Sequence, residues 1–281
     1  MRGRFRHNTA PVIVLPSQHA LPPRSPWDIQ RAVIFALALR ELRARAGGRW
    51  LGLLWLLFEP LMHMAVLLAM FTYIRHFSRP GLEVPVFLIV GIVPFFLFRS
   101  VALRVGDSIP ANRGLFNYRQ VKPADTLVAR AVVETMLHLG VLLSLLAGLG
   151  WVGYQWWPAR PLEFIGILGL LLAFSFGVAL VIAVATLRRP KVRAVVGVLF
   201  FPLYLLSGVI FPLQSVSPEI RSWLAWNPLL HFVDLGRSTF IARYHALPEA
   251  DPGYAAAWTL GALALGLALY RVDRHRLRAR D

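Results

Sequence analysis

Six predominantly apolar runs, at 51–74, 84–104, 124–152, 162–187, 194–213 and 253–270, constrain this chain more than any other feature. A hydrocarbon layer about 30 Å thick offers backbone N–H and C=O groups no partner. An apolar run of roughly 20 residues must therefore close its own hydrogen bonds as a helix. The sequence thus predicts an all-α integral membrane protein with six transmembrane helices. Pro60, Pro94 and Pro202 interrupt three of the runs, which a membrane helix tolerates where neighbours satisfy the freed carbonyls.

Composition narrows the class further. With 57% hydrophobic and 16% charged residues, the chain lacks the polar surface of a soluble domain. A net charge of +16 would suit nucleic acid, but the arginines lie between apolar runs rather than on one polar module, so no nucleic-acid partner is expected. Cysteine is absent, which excludes disulfides, thiolate metal sites and cysteine nucleophiles. Val12–Leu15 is too short an apolar patch for a cleavable export signal. Residues 1–26, rich in Arg and Pro, read as an irregular cytosolic tail, and 272–281 as a second tail.

Charge asymmetry sets the expected orientation. With both termini inside, 23 Lys and Arg fall on the cytosolic side and six on the other, with Arg99 left inside a span. That excess places both ends in the cytosol. Ahead of the first span, 27–49 reads as an interface helix. Asp28 stands near its start, and an apolar stripe of Phe35, Leu39, Leu42 and Ala46 is set apart from Arg40, Glu41, Arg43 and Arg45. Between the fifth and sixth spans, 214–245 is too polar to cross and too apolar for an ordinary loop. Pro212, Pro218 and Pro228 divide this region into short pieces, read as re-entrant helices, with Trp223 and Trp226 at the interface.

The loop 105–123 carries the strongest functional signal. Asp107 and Ser108 are placed to cap a short helix, Asn112-Arg113-Gly114 to turn, and Phe116 and Tyr118 to offer rigid anchors beside Arg119 and Lys122. Aromatic and arginine side chains are the usual energetic centres of protein interfaces. Within the spans, Glu59, His63 and Arg99 are ionisable groups at membrane depth, expected to face a cavity or a partner. Glu134 and His138, four apart on one helix, could hydrogen-bond each other; two ligands without a third make no metal site. Arg237 and Arg243 are expected on the external side, where they could help release a cargo. No GxxxxGK[ST] phosphate loop is present, so ATP hydrolysis by that route falls to a partner.

Five segments together resemble the transmembrane subunit of type-2 ABC exporters, most closely the capsular polysaccharide exporters of Gram-negative bacteria. They are LGLLWLLFEP at 51–60, VPVFLIVGIVPFF at 84–96, PANRGLFNYRQVKPADTLVARA at 110–131, LSGVIFPL at 206–213 and WNPLLHFVDLGR at 226–237. The resemblance implies one transmembrane domain over 27–271, a homodimer in the inner membrane, and two separate ATPase subunits that hold ATP and magnesium. This chain itself would need no cofactor and have no catalytic residue. It further implies a periplasmic adaptor, an outer-membrane channel and an acidic, lipid-linked polysaccharide as cargo. The 105–123 loop becomes a coupling helix, with Asp107, Asn112, Arg113, Phe116, Tyr118 and Arg119 facing the ATPase. Trp55, Phe58, Glu59, Phe95, Phe96, Phe98 and Arg99 become candidates for the cargo path. Other readings are an O-antigen or teichoic acid exporter, an exporter of small amphiphiles, or an intramembrane acyl- or glycosyltransferase.

Overall fold

The computed structural model describes residues 25–46, 58, 61–63, 65–67, 69–70 and 83–274. Both expected tails, apart from the residues at their inner edges, and most of the expected first span lie outside the described residues. The described parts of that span are helical. Regular structure among the described residues is entirely helical. In chain order the helices are α1 (Pro26–Ala46), α2 (Val84–Ser100, continued by a π-helical turn Val101–Val105), α3 (Ser108–Ala111) and α4 (Pro123–Trp151). There follow α5 (Pro161–Arg188), α6 (Val192–Leu206), α7 (Pro218–Leu224), α8 (Pro228–Phe240) and α9 (Pro252–Asp273). Four of these, Val84–Val105, α4, α5 and α9, are long and apolar enough to cross a membrane, and α6 is a shorter apolar helix.

Proline sets most of the helix starts. It occupies one of the first two positions of α2, α4, α5, α7, α8 and α9, where its missing N–H costs nothing and its φ is already helical. Side chains complete several starts. Asp125 accepts from the Lys122 N–H at 2.8 Å ahead of α4, and Asp251 accepts from Gly253 and Tyr254 at 2.8 and 3.1 Å ahead of α9.

Of the four long apolar helices the most enclosed is α2, which packs against α4, α5 and α8. Its inward rings build an aromatic core: Phe98 stacks on Phe174 of α5 with centroids 5.6 Å apart, and Phe95 meets Tyr204 of α6 at 5.0 Å. Elsewhere, small residues bring backbones together. A Cβ at Gly177 of α5 would stand 2.7 Å from the Ala262 backbone of α9, and one at Gly266 would stand 2.7 Å from the Gly177 carbonyl. Such close approach is how helices associate in lipid, where apolar burial supplies no net drive.

Two expectations are corrected beyond α6. The expected fifth span ran to 213, but α6 stops at Leu206, because Gly208 takes a left-handed φ of 66° and reverses the chain. Arg237 is the second correction. Expected as an external cation, it is 1% exposed in α8, where its guanidinium donates to the carbonyls of Phe87 (3.2 Å), Gly208 (2.6 Å) and Val209 (2.5 Å). It also lies 3.5 Å over the Phe87 ring. Gly208 and Val209 lie just beyond the end of α6 and Phe87 lies in the first turn of α2, so one cation gathers backbone acceptors from two segments.

The far end of α8 is closed by the connection from α4 to α5. Ala159 and Arg160 donate backbone N–H to Phe240 and Thr239 carbonyls at 2.9 Å each, and Gln155 Nε2 donates to Phe240 at 2.6 Å. Exposed tryptophans, Trp151, Trp156, Trp157, Trp223 and Trp226, mark this end of the bundle.

Gly91 makes the room that Arg237 fills: a Cβ there would lie 2.9 Å from the Arg237 Cζ. Gly91→Ala is therefore expected to destabilise the purified protein by about 1–3 kcal/mol, the usual cost of overpacking. A thermal melt in detergent reads this directly. An unshifted melting temperature would contradict the Arg237 assignment.

Candidate functional site

The loop between α2 and α4 is a folded knot. After the π-helical turn come α3 and a 3-10 turn over Arg113–Asn117. Asp107 stands at the start of α3 but does not cap it with its side chain; it pairs instead with Arg193 at 2.8 Å, across to the base of α6. Burial pushes the Asp107 carboxyl above its ordinary value, against the opposing charge of Arg193. Asn112 is buried, donating to the Ser108 carbonyl at 2.7 Å and accepting from Arg40 of α1. Phe116 is half-buried, rooted on a cluster that includes Leu97, Val105 and Ile109. Tyr118, 64% exposed, and Arg119 and Arg113 face outward. Only these last three are placed to meet another molecule; Asn112 and Phe116 hold the knot together.

Polar contacts tie α1 to this knot and to α4. Gln30 donates to Asp125, Arg40 to Asn112, Arg130 to Glu41 at 2.9 Å, and Arg45 to Glu134. The order rises together along both helices, so α1 climbs beside the first turns of α4. The sequence reads α1 as an interface helix with an apolar stripe. Phe35 of that stripe is 70% exposed, while the polar side holds the protein. The fully buried Glu134 carboxylate is the hub. Beyond Arg45, it accepts from Ser100 Oγ of α2 at 2.8 Å and lies 3.7 Å from Arg104 Nε. His138 does not bond that carboxylate: its Nδ1 lies 2.9 Å from the Glu134 carbonyl and 3.9 Å from the carboxyl oxygen.

Two recesses meet at Phe96 and Arg99. One, about 180 Å³, lies between α2 and α4 and includes Ser100, Arg104, Glu134 and His138. The other, about 550 Å³, lies between α2, α6 and the described residues Phe58, Met62, His63 and Val66, and is lined by rings of Phe58, Phe200, Phe201 and Tyr204. At its wall the His63 Nε2 lies 2.6 Å from the Tyr204 hydroxyl. Among the path candidates, Phe58, Phe95, Phe96 and Arg99 line this recess, Phe95 with only 2% of its surface exposed. Phe98, at 3% exposure, is committed to the aromatic core within this chain. Trp55 and Glu59 lie outside the described residues.

A family model described as ABC-2 type transporter matches residues 32–241. The chain belongs to the ABC-2 type transporter family. It is 40% identical over 248 residues to the polysialic acid transport protein KpsM of Escherichia coli, covering 88% of this chain and 96% of that one. It is 28% identical to the capsule polysaccharide export inner-membrane protein CtrC of Neisseria meningitidis serogroup B, over 89% of this chain and 95% of the relative. Identity is also 28% to the O-antigen export system permease protein RfbA of Myxococcus xanthus, over 81% and 86%.

The ABC-2 match runs from within α1 to the end of α8, so both recesses, the knot and Arg237 fall inside it. Sequence reasoning missed Arg45 and Arg104 as members of the site. A signal was present, since an acid placed as deep as Glu134 requires a cation, yet the partner's identity needed the fold of α1.

Glu41 gives this ABC-2 chain a testable pH response. Burial raises its carboxyl, but the hydrogen bond and charge of Arg130, with the charge of Arg45, outweigh that and hold it below the ordinary 4.5. A lowered folded pKa means the stabilisation is complete above the unfolded value and is lost as pH falls through the folded one. Hydrogen exchange of α1 is therefore expected to stay constant from neutral pH to about 4.5 and to rise below it, after correction for intrinsic rates. Glu41→Gln should remove that step. Release of α1 already near neutral pH would contradict it.

Proposed function

We propose that the chain is the membrane subunit of an ATP-driven exporter that moves an acidic, lipid-linked capsular polysaccharide across the inner membrane. The observation that carries this reading is the 40% identity, over nearly the whole chain, to a polysialic acid transport protein. Polysialic acid is itself an acidic polymer. In this reading six spans form one domain over 27–271, both termini are cytosolic, and the tryptophan-bearing end faces the periplasm. Two copies enclose the path. ATP and magnesium belong to separate ATPase subunits, and a periplasmic adaptor and outer-membrane channel extend the route. The likeness to an O-antigen permease supports a second cargo, a lipid-linked O-antigen polymer.

The knot supplies the mechanical link. Its outer face, Tyr118, Arg119 and Arg113, is the docking surface for the ATPase. Asn112, Phe116 and Asp107 transmit displacement to α1, the helical core and α6 respectively, through the contacts already described. Because these contacts join separate elements, a push on the knot moves them as one block. The ring-lined recess and Arg99 then lie beside the cargo path, where ring faces can stack on sugars and a mobile cation can attend passing carboxylates.

Tyr118→Ala with Arg119→Ala is expected to weaken co-purification of the ATPase at least tenfold, since interface anchors of this kind typically contribute 2 kcal/mol or more. Membrane insertion should be unaffected. The native chain has no cysteine, so single Tyr118→Cys and Trp223→Cys variants also report orientation. An impermeant thiol reagent applied outside spheroplasts should label Trp223→Cys alone. Labelling of both or of Tyr118→Cys alone, or undiminished ATPase capture, would overturn this assignment.

A further inference from the structure

The smaller recess has a polarity gradient. On α2 it runs from Val93 and Phe96 to Arg99, Ser100 and Arg104; on antiparallel α4 it runs from Val141 and Leu137 to His138 and Glu134. Apolar groups thus meet apolar groups at one end, and ionisable groups gather at the other. With 1.5 Å of rise per residue, Arg104 stands about 2 Å and Arg99 about 9 Å from the end of the span at Val105. That is the depth to which arginine side chains snorkel toward headgroups.

The charge at the polar end is unbalanced. The Glu134 carboxylate is answered by Arg45 and Ser100, with Arg104 3.7 Å away. The side chain of Arg104 is half exposed, and Arg99 makes no ion pair among the described residues. Arg99 and Arg104 thus line the slot beside a single carboxylate, Glu134, that Arg45 (itself shared with Glu41) already answers, and an acceptor-rich anion would balance the positive surplus.

We propose that this slot between α2 and α4 binds the head of an anionic, phosphate-headed lipid from the cytosolic leaflet. The proposal rests on the orientation given above. Arg99 and Arg104 take the phosphate oxygens, and Ser100 and His138 flank the ester. Phe96, Leu137 and Val141 receive the first methylenes of the chains, which continue into the bilayer. At about 180 Å³ the slot is smaller than the ~300–1,000 Å³ usual for whole drug-sized ligands and suits a headgroup. The lipid could be a resident phospholipid or the lipid anchor of the cargo; both share this chemistry.

Native mass spectrometry of the full chain, offered phosphatidylglycerol or phosphatidylcholine with identical acyl chains, tests the proposal. Wild type is expected to retain phosphatidylglycerol at least tenfold more strongly. Arg99→Gln with Arg104→Gln should abolish the preference, and the corresponding Lys pair should keep it. Leu137→Trp, which fills the slot without altering charge, should also abolish retention. Equal retention of the two lipids by wild type, or a preference unchanged in both the Gln pair and Leu137→Trp, overturns the proposal.

Repeating the measurement on chain from cells that make or lack the lipid-linked glycan separates the sources. An ordinary phospholipid mass in both identifies a resident lipid, and a glycolipid-anchor mass only in producing cells identifies cargo. Either result supports the site. Lipid retention requires neither ATPase nor transport, so it can fail while ATPase docking stands, and the reverse.

Discussion

A fully buried carboxylate, Glu134, organises the charged end of this molecule. An ionised acid at that depth costs several kcal/mol unless cations and hydrogen-bond donors surround it, and removing one partner of such a pair typically costs about 3–5 kcal/mol. The chain meets this demand with Arg45 from α1 and Ser100 from α2, so one electrostatic requirement fastens three helices together. The contacts from Gln30, Arg40 and Glu41 follow from that placement, because once Arg45 reaches Glu134 the polar side of α1 must lie along α4. The position of the knot and the positive surplus in the neighbouring slot are consequences of the same arrangement.

The opposite end uses another device for a related problem. Ending α6 at Leu206 leaves carbonyls without intrahelical partners among buried residues. Arg237 satisfies Phe87, Gly208 and Val209 at once, and the segment 155–160 closes the end of α8. Between the two ends lies a core of stacked rings with few polar groups. Ends fixed by buried polar contacts are thus joined by an aromatic middle.

Much of the architecture was legible in the sequence. The apolar runs gave α2, α4, α5 and α9 because lipid enforces helix, and Pro218 and Pro228, read as dividing the segment before the last span, stand at the starts of α7 and α8. Facing was less legible. The periodicity of α1 separates Phe35 from Arg40 and Glu41, but it does not say which protein groups the polar side meets. Beside lipid, Phe35 can point out and the polar side can bind protein. Arg237 was misread for a similar reason: its partners are backbone carbonyls, which no side-chain pattern announces. Phe98 was indistinguishable from Phe96 by residue type, although two positions apart on one turn they point to different surroundings.

The role of Glu134 as the anchor of α1 is tested most directly by charge reversal. Amide hydrogen exchange across 26–46 would be measured in Arg45→Glu, in Glu134→Arg and in the two combined. Faster exchange along α1 in each single variant, with protection largely restored in the combined one, is the expected result. Protection of α1 unchanged by either single reversal would contradict the account.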